Sequence, residues 1–174
     1  MDVVERLRRA IRDVPDFPKP GILFRDLTPI LGDPALFRAA VGLFVDRHRR
    51  GGADAIAAVE ARGFLFAGAI AAELGLPLVP IRKKGKLPWR TQSVEYLLEY
   101  GSASLEIHAD SVARGARVVV FDDLLATGGT AAAAGGLVEA LGGRVVEFDF
   151  LVELCGLRGR ERLGGRAVFA PLAL

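Results

Sequence analysis

Residues 118–130 spell Val118-Val119-Val120-Phe121-Asp122-Asp123-Leu124-Leu125-Ala126-Thr127-Gly128-Gly129-Thr130. The four apolar residues predict a buried strand that ends in two carboxylates. A glycine-containing loop follows, and a helix is predicted from about Thr130. In an open α/β sheet, ligands bind at the carboxyl ends of the strands. A helix N-terminus beside such a loop offers free N–H groups and a positive dipole end, both of which suit phosphate.

The residue types of this segment indicate a ribose 5-phosphate site. Asp122 and Asp123 are anions that repel phosphate, but they are good acceptors for the vicinal hydroxyls of a ribose. Both side chains are expected to lie at a solvent-facing strand end. The alternative is an ordinary strand–loop–helix corner in which Asp123 only caps the helix. Neither the P-loop nor the dinucleotide fingerprint occurs. The predicted phosphate cradle consists of Ala126, Thr127, Gly128, Gly129 and Thr130.

The rest of the chain alternates short apolar runs with helical segments, which predicts a parallel sheet covered by helices on both faces. The predicted strands are 55–59, 78–81, 117–121 and 145–151, the predicted helices are 34–47, 63–74 and 130–141, and 94–107 is predicted to form two further strands around Gly101-Ser102.

Composition excludes several classes of protein. Twenty-three basic and 21 acidic residues leave a net charge of +2, too little to indicate nucleic-acid binding. One cysteine permits no internal disulfide, and two histidines with one cysteine make a protein-ligated zinc site implausible. No apolar run has the length of a membrane span, so we expect a cytoplasmic protein with no membrane partner.

The segment 118–130 resembles the motif that binds phosphoribosyl pyrophosphate (PRPP) in type I phosphoribosyltransferases. Its form Asp-Asp-Leu-Leu-Ala-Thr-Gly-Gly-Thr is similar to that of the adenine phosphoribosyltransferases. The resemblance implies an α/β, Rossmann-like parallel sheet flanked by helices, with a small N-terminal hood. It also implies a single domain over 1–174, with the hood in 1–33, the core in 34–174 and a lid in 82–101.

Two segments before the lid support this resemblance. Residues 17–26 resemble the family's base-binding hood, which implies that backbone groups of Leu23 and Arg25 bond the adenine edge and that Phe24 stacks on the base. Taken alone, Phe24 would be a core residue of a short strand. Residues 60–66 resemble the pyrophosphate loop, with Arg62 as the charged contact. Arginine at a helix start opposes the helix dipole, which favours an anionic partner over a bare surface position.

Residues 82–88 carry four cations within five residues, directly after a predicted strand. Such a run is usually a solvated surface. Its place at the carboxyl end of a strand and the family resemblance instead imply a mobile lid, with Arg82, Lys83 and Lys86 on PRPP and Gly85 as a hinge. The segment Leu98-Glu99-Tyr100-Gly101 resembles the family motif in which Glu99 is the acid–base residue and Tyr100 packs near the base. In isolation, this segment would be an exposed strand pair.

The resemblance covers about residues 16–154. Residues 89–92 match no specific pattern, and the segment from Gly156 onward carries no recognisable chemistry. The implied reaction transfers the 5-phosphoribosyl group from PRPP to adenine, giving AMP and pyrophosphate. Mg²⁺ would be held mainly by PRPP and water rather than by protein ligands, and the family implies a homodimer.

Three other functions stay open at this point. The first is a phosphoribosyltransferase for xanthine, hypoxanthine or orotate, and the hood segment argues against it. The second is a PRPP-sensing regulator on the same fold, for which no helix-turn-helix pattern precedes the hood. The third is a generic sugar-phosphate binding protein, which leaves the basic segment without a role.

Overall fold

The computed structural model describes residues 2–97 and 102–174. Its centre is an eight-stranded sheet, and a separate two-stranded ribbon lies near the N-terminus. The strands are β1 (Arg12–Pro15), β2 (Leu23–Asp26), β3 (Ala55–Val59), β4 (Leu78–Lys83), β5 (Thr91–Leu97), β6 (Ser102–His108), β7 (Arg117–Leu125), β8 (Arg144–Glu153), β9 (Val168–Phe169) and β10 (Leu172–Ala173). The helices are α1 (Val3–Ala10), α2 (Thr28–Gly32), α3 (Pro34–His48), α4 (Arg62–Leu74) and α5 (Gly129–Ala140), with short 3₁₀ turns at Cys155–Leu157 and Gly159–Leu163.

The central sheet has the order β10-β8-β7-β3-β4-β6-β5, and β9 pairs with β8. Strands β8, β7, β3 and β4 are parallel, which confirms the predicted parallel core. The hairpin of β5 and β6 extends this core antiparallel to β4. The carboxyl ends of β3, β4 and β7 therefore meet at one edge of the sheet.

Helices cover both faces of the sheet, and each face has its own apolar cluster. One cluster joins α5 to side chains of β7 and β8, including Val118, Val120 and Phe148. The other joins α3 and α4 to the opposite face of the same strands through Phe121 and Leu151. Strands buried on both faces explain the continuous apolar runs of the sequence. Among the described residues, no helix combines the length and the apolar character needed to cross a bilayer.

The N-terminal hood begins with α1, whose Leu7 is fully buried in the cluster below α3 and α4. The ribbon of β1 and β2 follows, and its register places Val14 opposite Phe24. Asp33 then caps α3, as the sequence predicts, by accepting hydrogen bonds from the N–H groups of Ala35 (2.8 Å) and Leu36 (3.1 Å).

Strand β7 extends four residues beyond its predicted end at Phe121. Leu124 and Leu125 still pair in register with Val152 and Glu153 of β8. The two aspartates thus lie within the strand rather than after it. Strand length here follows from the pairing with β8, which the apolar run of the sequence does not reveal.

A cluster of charged side chains lies between the end of α3 and strand β8. Arg47 forms a two-pronged ion pair with Glu147. His48 Nε2 lies 2.6 Å from Asp149 Oδ2, and Asp149 is only 1% exposed. His48, Glu147 and Asp149 each bring a possible metal-ligating atom within 4.8 Å of the others. Because Arg47 already neutralises Glu147, these contacts are accounted for by two adjacent ion pairs.

We expect this cluster to make stability pH-dependent. Burial by itself lowers the pKa of His48, but the hydrogen bond and charge of Asp149 outweigh burial and raise the pKa above its ordinary value of 6.5. The stabilisation is therefore complete below about pH 6.5 and is lost as the pH rises through the raised pKa. Urea unfolding from about pH 6 to about pH 9 should show this decline, and His48→Gln should flatten it. An identical slope in His48→Gln would contradict the assignment.

Candidate active site

The phosphate loop, defined as residues 126–129, connects β7 to α5. Gly128 has φ +81° and forms the N-cap of α5. A cavity of about 80 Å³ lies against the loop, and it is lined by Asp122, Leu124, Leu125, Ala126, Thr127, Gly128, Gly129, Thr130, Ala131 and Phe150. The first N–H groups of a helix have no partner inside the helix. The structure thus brings all five predicted cradle residues to one anion-sized cavity beside a helix N-terminus.

Asp122 and Asp123 form a carboxylate pair at the bottom of a larger cavity. Asp122 is half-buried and Asp123 is 4% exposed, so the expectation that both side chains face solvent is wrong for Asp123. Burial and the neighbouring Asp123 charge raise the pKa of Asp122 well above its usual value. A pair of this kind favours a ligand that supplies positive charge or hydroxyl donors.

Arg62, the first residue of α4, connects two parts of the site. Its Nε lies 2.6 Å from Asp123 Oδ2, an ion pair whose N–H direction leaves that oxygen without a hydrogen bond. Its guanidinium carbon lies 5.3 Å from the centre of the Phe24 ring. The side chain is 39% exposed, so a ligand can still reach the guanidinium. Arg62 therefore stands between the carboxylate pair and the hood.

Gly63 allows α4 to approach the carboxylate pair. A Cβ at Gly63 would lie 2.9 Å from Asp122 Oδ1 and 3.3 Å from Asp122 Cα. Gly68, in the same helix, has nothing within 4 Å of such a Cβ. No role was predicted for Gly63 from the sequence, where the only indication of one is its position next to Arg62.

We expect Gly63→Ala to disturb the site and Gly68→Ala to leave it intact. The added methyl at Gly63 has to displace the Asp122 carboxylate, so KM for PRPP, the substrate that the family resemblance implies, should rise by about tenfold to 100-fold. Gly68→Ala should be neutral or stabilise α4 by about 0.5–1 kcal/mol. Steady-state kinetics and thermal unfolding of both variants check this. Equal KM values in the two variants would show that the Asp122 position does not matter.

The basic segment, residues 82–88, begins within β4 rather than in a loop. Arg82 Nε donates to Glu60 Oε2 at 2.7 Å, and its Nη1 donates to the carbonyl of Lys86 at 3.2 Å. Lys83 is exposed and lines the larger cavity. Lys86 is exposed, and its contact with a ligand stays a prediction. Of the three predicted cations, the structure brings Lys83 to the cavity, whereas Arg82 already has a carboxylate partner.

Glu106 binds the backbone of the basic segment at Lys86 and Leu87. It is 4% exposed, and its Oε1 accepts hydrogen bonds from the N–H groups of Lys86 and Leu87, both at 2.8 Å. Burial raises the pKa of Glu106, but the N–H groups of Leu87, Gly85 and Lys86 outweigh burial and lower it below its usual value. No role was predicted for this residue from the sequence. The available signal was a glutamate between the apolar Leu105 and Ile107, because a buried carboxylate needs partners.

The hood approaches the site through Phe24, whose ring lies against the Arg62 guanidinium. Phe24 packs edge-on against Phe17, with 5.1 Å between ring centres. Leu23 is 45% exposed, and the Arg25 side chain pairs with Asp13 across the ribbon. In an antiparallel ribbon, alternate residues point both backbone polar groups away from the partner strand. Leu23 and Arg25 are two residues apart in β2, so their backbone N–H and C=O groups point to the same side of the ribbon.

The larger cavity, of about 410 Å³, lies at the carboxyl edge of the sheet and is bounded by the carboxylate pair, Arg62 and Lys83. It is lined by Val59, Glu60, Ala61, Arg62, Lys83, Tyr96, Leu105, Asp122, Asp123, Leu124 and Thr130. Tyr96 was not predicted, although its hydroxyl lies 3.2 Å from Thr130 Oγ1. The sequence signal for Tyr96 was its position two residues after Val94 in a strand, which places both side chains on the same, inward face. The predicted Glu99 and Tyr100 lie outside the described residues.

Comparison with known proteins agrees with this geometry. The family model of the phosphoribosyl transferase domain matches residues 27–161. An adenine phosphoribosyltransferase of Methylococcus capsulatus is 53% identical over 169 residues, which cover 97% of this chain and 99% of that protein. The chain belongs to the adenine phosphoribosyltransferase family.

Solved structures of family members have the same fold. The adenine phosphoribosyltransferase of Thermoanaerobacter pseudethanolicus superposes with a TM-score of 0.95 at 49% identity, covering 98% of this chain and 99% of that one. The Saccharomyces cerevisiae protein, crystallised with adenine and an imino-altritol bisphosphate, has a TM-score of 0.92 at 40% identity and covers 98% of each chain. The predicted α/β phosphoribosyltransferase fold is thereby confirmed.

Proposed function

We propose that the protein transfers the 5-phosphoribosyl group from PRPP to adenine, giving AMP and pyrophosphate. The observation that carries this proposal is the position of Arg62, which contacts Asp123 of the PRPP motif and the Phe24 ring of the hood. A single guanidinium thus lies between the groups suited to a base and those suited to a ribose phosphate. Membership of the family supports the same reaction.

Each group has a role that follows from its chemistry. The phosphate loop binds the 5-phosphate through helix N–H groups and threonine hydroxyls. Asp122 and Asp123 accept hydrogen bonds from the ribose hydroxyls. The Phe24 ring stacks on adenine, and backbone groups of Leu23 and Arg25 bond its edge. The yeast relative was crystallised with adenine, which supports a base of this kind. Arg62 and Lys83 stabilise the charge that builds up on the departing pyrophosphate.

In the reaction, the bond from the anomeric carbon to pyrophosphate breaks and a bond to a ring nitrogen of adenine forms. That nitrogen loses its proton, which we assign to Glu99 as acid–base residue, with Tyr100 near the base. The segment 82–101 is proposed as a lid that excludes water from PRPP. Its exposed Trp89, at 64%, and the cations Lys83 and Lys86 support this proposal.

The residues of the site fit an Mg²⁺ ion that binds together with PRPP. Three described carboxylates line the cavity, but Glu60 already pairs with Arg82 and Asp123 with Arg62, so phosphate oxygens and water would supply most ligands. Burial, and then the Asp123 charge, raises the pKa of Asp122, so a bound cation would favour the ionised form of this carboxyl. When bound, Mg²⁺ neutralises charge on the pyrophosphate.

The location and assembly of the protein stay predictions. We propose a cytoplasmic homodimer made of single-domain chains, each with its hood in 1–33 and its core in 34–174. The packing of Leu7 beneath α3 supports one continuous domain. Sedimentation equilibrium tests the dimer, and a concentration-independent monomer mass would contradict it.

A base screen tests the proposed function. The protein is incubated with PRPP, Mg²⁺ and one of adenine, hypoxanthine, guanine, xanthine or orotate, and pyrophosphate release is followed. A site whose backbone groups are set for the amino-purine edge leaves those groups unpaired with hypoxanthine, so adenine should be preferred in kcat/KM by about 10³-fold or more. Comparable efficiency with hypoxanthine would contradict the adenine assignment while leaving the PRPP site in place.

A further inference from the structure

The segment that follows β8 has no role in the reaction described so far. It leaves the sheet at Leu154, whose N–H donates to the carbonyl of Leu125 at 2.9 Å. It then forms the 3₁₀ turn Gly159–Leu163. Leu163 is fully buried in the cluster that contains Leu125 and α5. The turn therefore lies directly against the end of β7, where the phosphate loop begins.

Two glycines bring the turn and the phosphate loop into backbone contact. A Cβ at Gly159 would lie 2.3 Å from the carbonyl oxygen of Ala126 and 2.8 Å from Leu125 Cδ1. A Cβ at Gly128 would lie 2.3 Å from the carbonyl oxygen of Gly159. Real Cβ atoms essentially never come within 3.0 Å of such atoms. Each backbone thus occupies the space that a side chain on the other would need.

An ion pair holds the turn in this position. Arg160 Nε lies 2.8 Å from both carboxylate oxygens of Glu153, and its Nη2 lies 2.6 Å from Oε2. Its Nη1 also donates to the carbonyl of Val168 at 3.1 Å. Glu153 is 6% exposed and pairs in register with Leu125. A forked, charge-assisted contact fixes both distance and direction, so Gly159 is held at a set place against the loop.

We propose that the turn Gly159–Leu163 is a buttress that keeps the phosphate loop in the shape that binds the 5-phosphate. Gly159 and Arg160 are its positioning residues, since neither needs to touch the substrate. The loop binds phosphate through N–H groups whose directions must be set before the ligand arrives, and a displacement of about 1 Å is enough to lose much of that binding. This inference rests on the proposed function, because it takes the loop to be the 5-phosphate site.

Gly159→Ala tests the buttress, with Gly156→Ala as its matched control. Gly156 precedes the turn and has nothing within 4 Å of an added Cβ. Titration calorimetry measures two probes separately: ribose 5-phosphate, which needs the loop, and magnesium pyrophosphate, which needs Arg62. Gly159→Ala should weaken ribose 5-phosphate binding by about tenfold to 100-fold, with a matching rise in KM for PRPP. Pyrophosphate binding should stay near wild type, and Gly156→Ala should change neither.

Arg160→Lys provides a second variant in case Gly159→Ala does not fold. Lysine keeps the charge next to Glu153 but cannot form the fork. We expect selective loss of ribose 5-phosphate affinity here too. Unchanged affinity in the folded variants, or equal losses for both probes, would overturn the buttress. If the wild-type protein bound neither ribose 5-phosphate nor PRPP, the proposed function itself would fail and the buttress with it.

Discussion

Replacement of both Asp122 and Asp123 by asparagine is expected to reduce PRPP affinity by about 100-fold or more, because two charged acceptors for the ribose hydroxyls become neutral. Asparagine keeps the shape of the side chain, so the fold should survive. Calorimetric titration with PRPP and Mg²⁺ measures the loss. Asp110→Asn, at an exposed position after β6, is the matched control. Wild-type affinity in the double variant would remove the ribose assignment.

The single variant Asp122→Asn separates binding from stability. Burial and the Asp123 charge raise the pKa of Asp122, so its ionised form costs folding free energy above its ordinary pKa. Asparagine removes that cost. The thermal midpoint at about pH 7 should therefore be equal to or higher than that of the wild type, while PRPP binding falls. A lower midpoint would indicate that Asp122 supports the fold rather than the ligand.

Replacement of Arg62 by glutamine is expected to lower kcat/KM by about 10²–10³-fold, the usual effect of removing one preorganised group that stabilises transition-state charge. The Arg62 charge also lowers the pKa of Asp122. Without it, Asp122 should ionise only at higher pH, and the acidic limb of the pH profile of kcat/KM should move upward. The control is Arg117→Gln, whose partner Asp54 lies at the opposite edge of the sheet.

The two expected effects distinguish a catalytic Arg62 from a structural one. A structural role would lower thermal stability and leave the pH profile in place. A catalytic role moves the acidic limb, and Arg62→Lys should recover part of the activity because it restores the charge without the fork. Near-normal kcat/KM in Arg62→Gln would show that pyrophosphate is stabilised by other groups, such as Lys83.

The elements of the core could be predicted from local pattern because each is defined by residues close in sequence. Strand β3 has the predicted bounds, and the capping of α3 by Asp33 was visible as Asp-Pro before an apolar stretch. The phosphate loop was recognisable for the same reason. It consists of a strand end, a tight loop and a helix start within 13 contiguous residues, so its chemistry needs no distant partner to be inferred.

The environment of the site residues could not be predicted in this way. The position of the basic segment and the family resemblance implied that Arg82 contacts PRPP. Its pairing with Glu60, however, depends on β3 and β4 lying side by side. Glu106 received no role because its partners, the N–H groups of Lys86 and Leu87, reach it only once β6 pairs antiparallel with β4. Asp123 was expected at the surface and is buried beneath Arg62.

The sequence by itself predicted the order of the core strands β3, β4, β7 and β8 and of the helices α3, α4 and α5, and it indicated the ligand chemistry of residues 118–130. These follow from hydrophobic period and residue type, which are properties of short segments. Only the tertiary structure decided which charges are neutralised within the chain, which remain for a ligand, and that Gly159 lies against Gly128. The physical reason is that burial and Coulomb energy depend on distances between segments far apart in the chain, and these distances exist only after the sheet has formed.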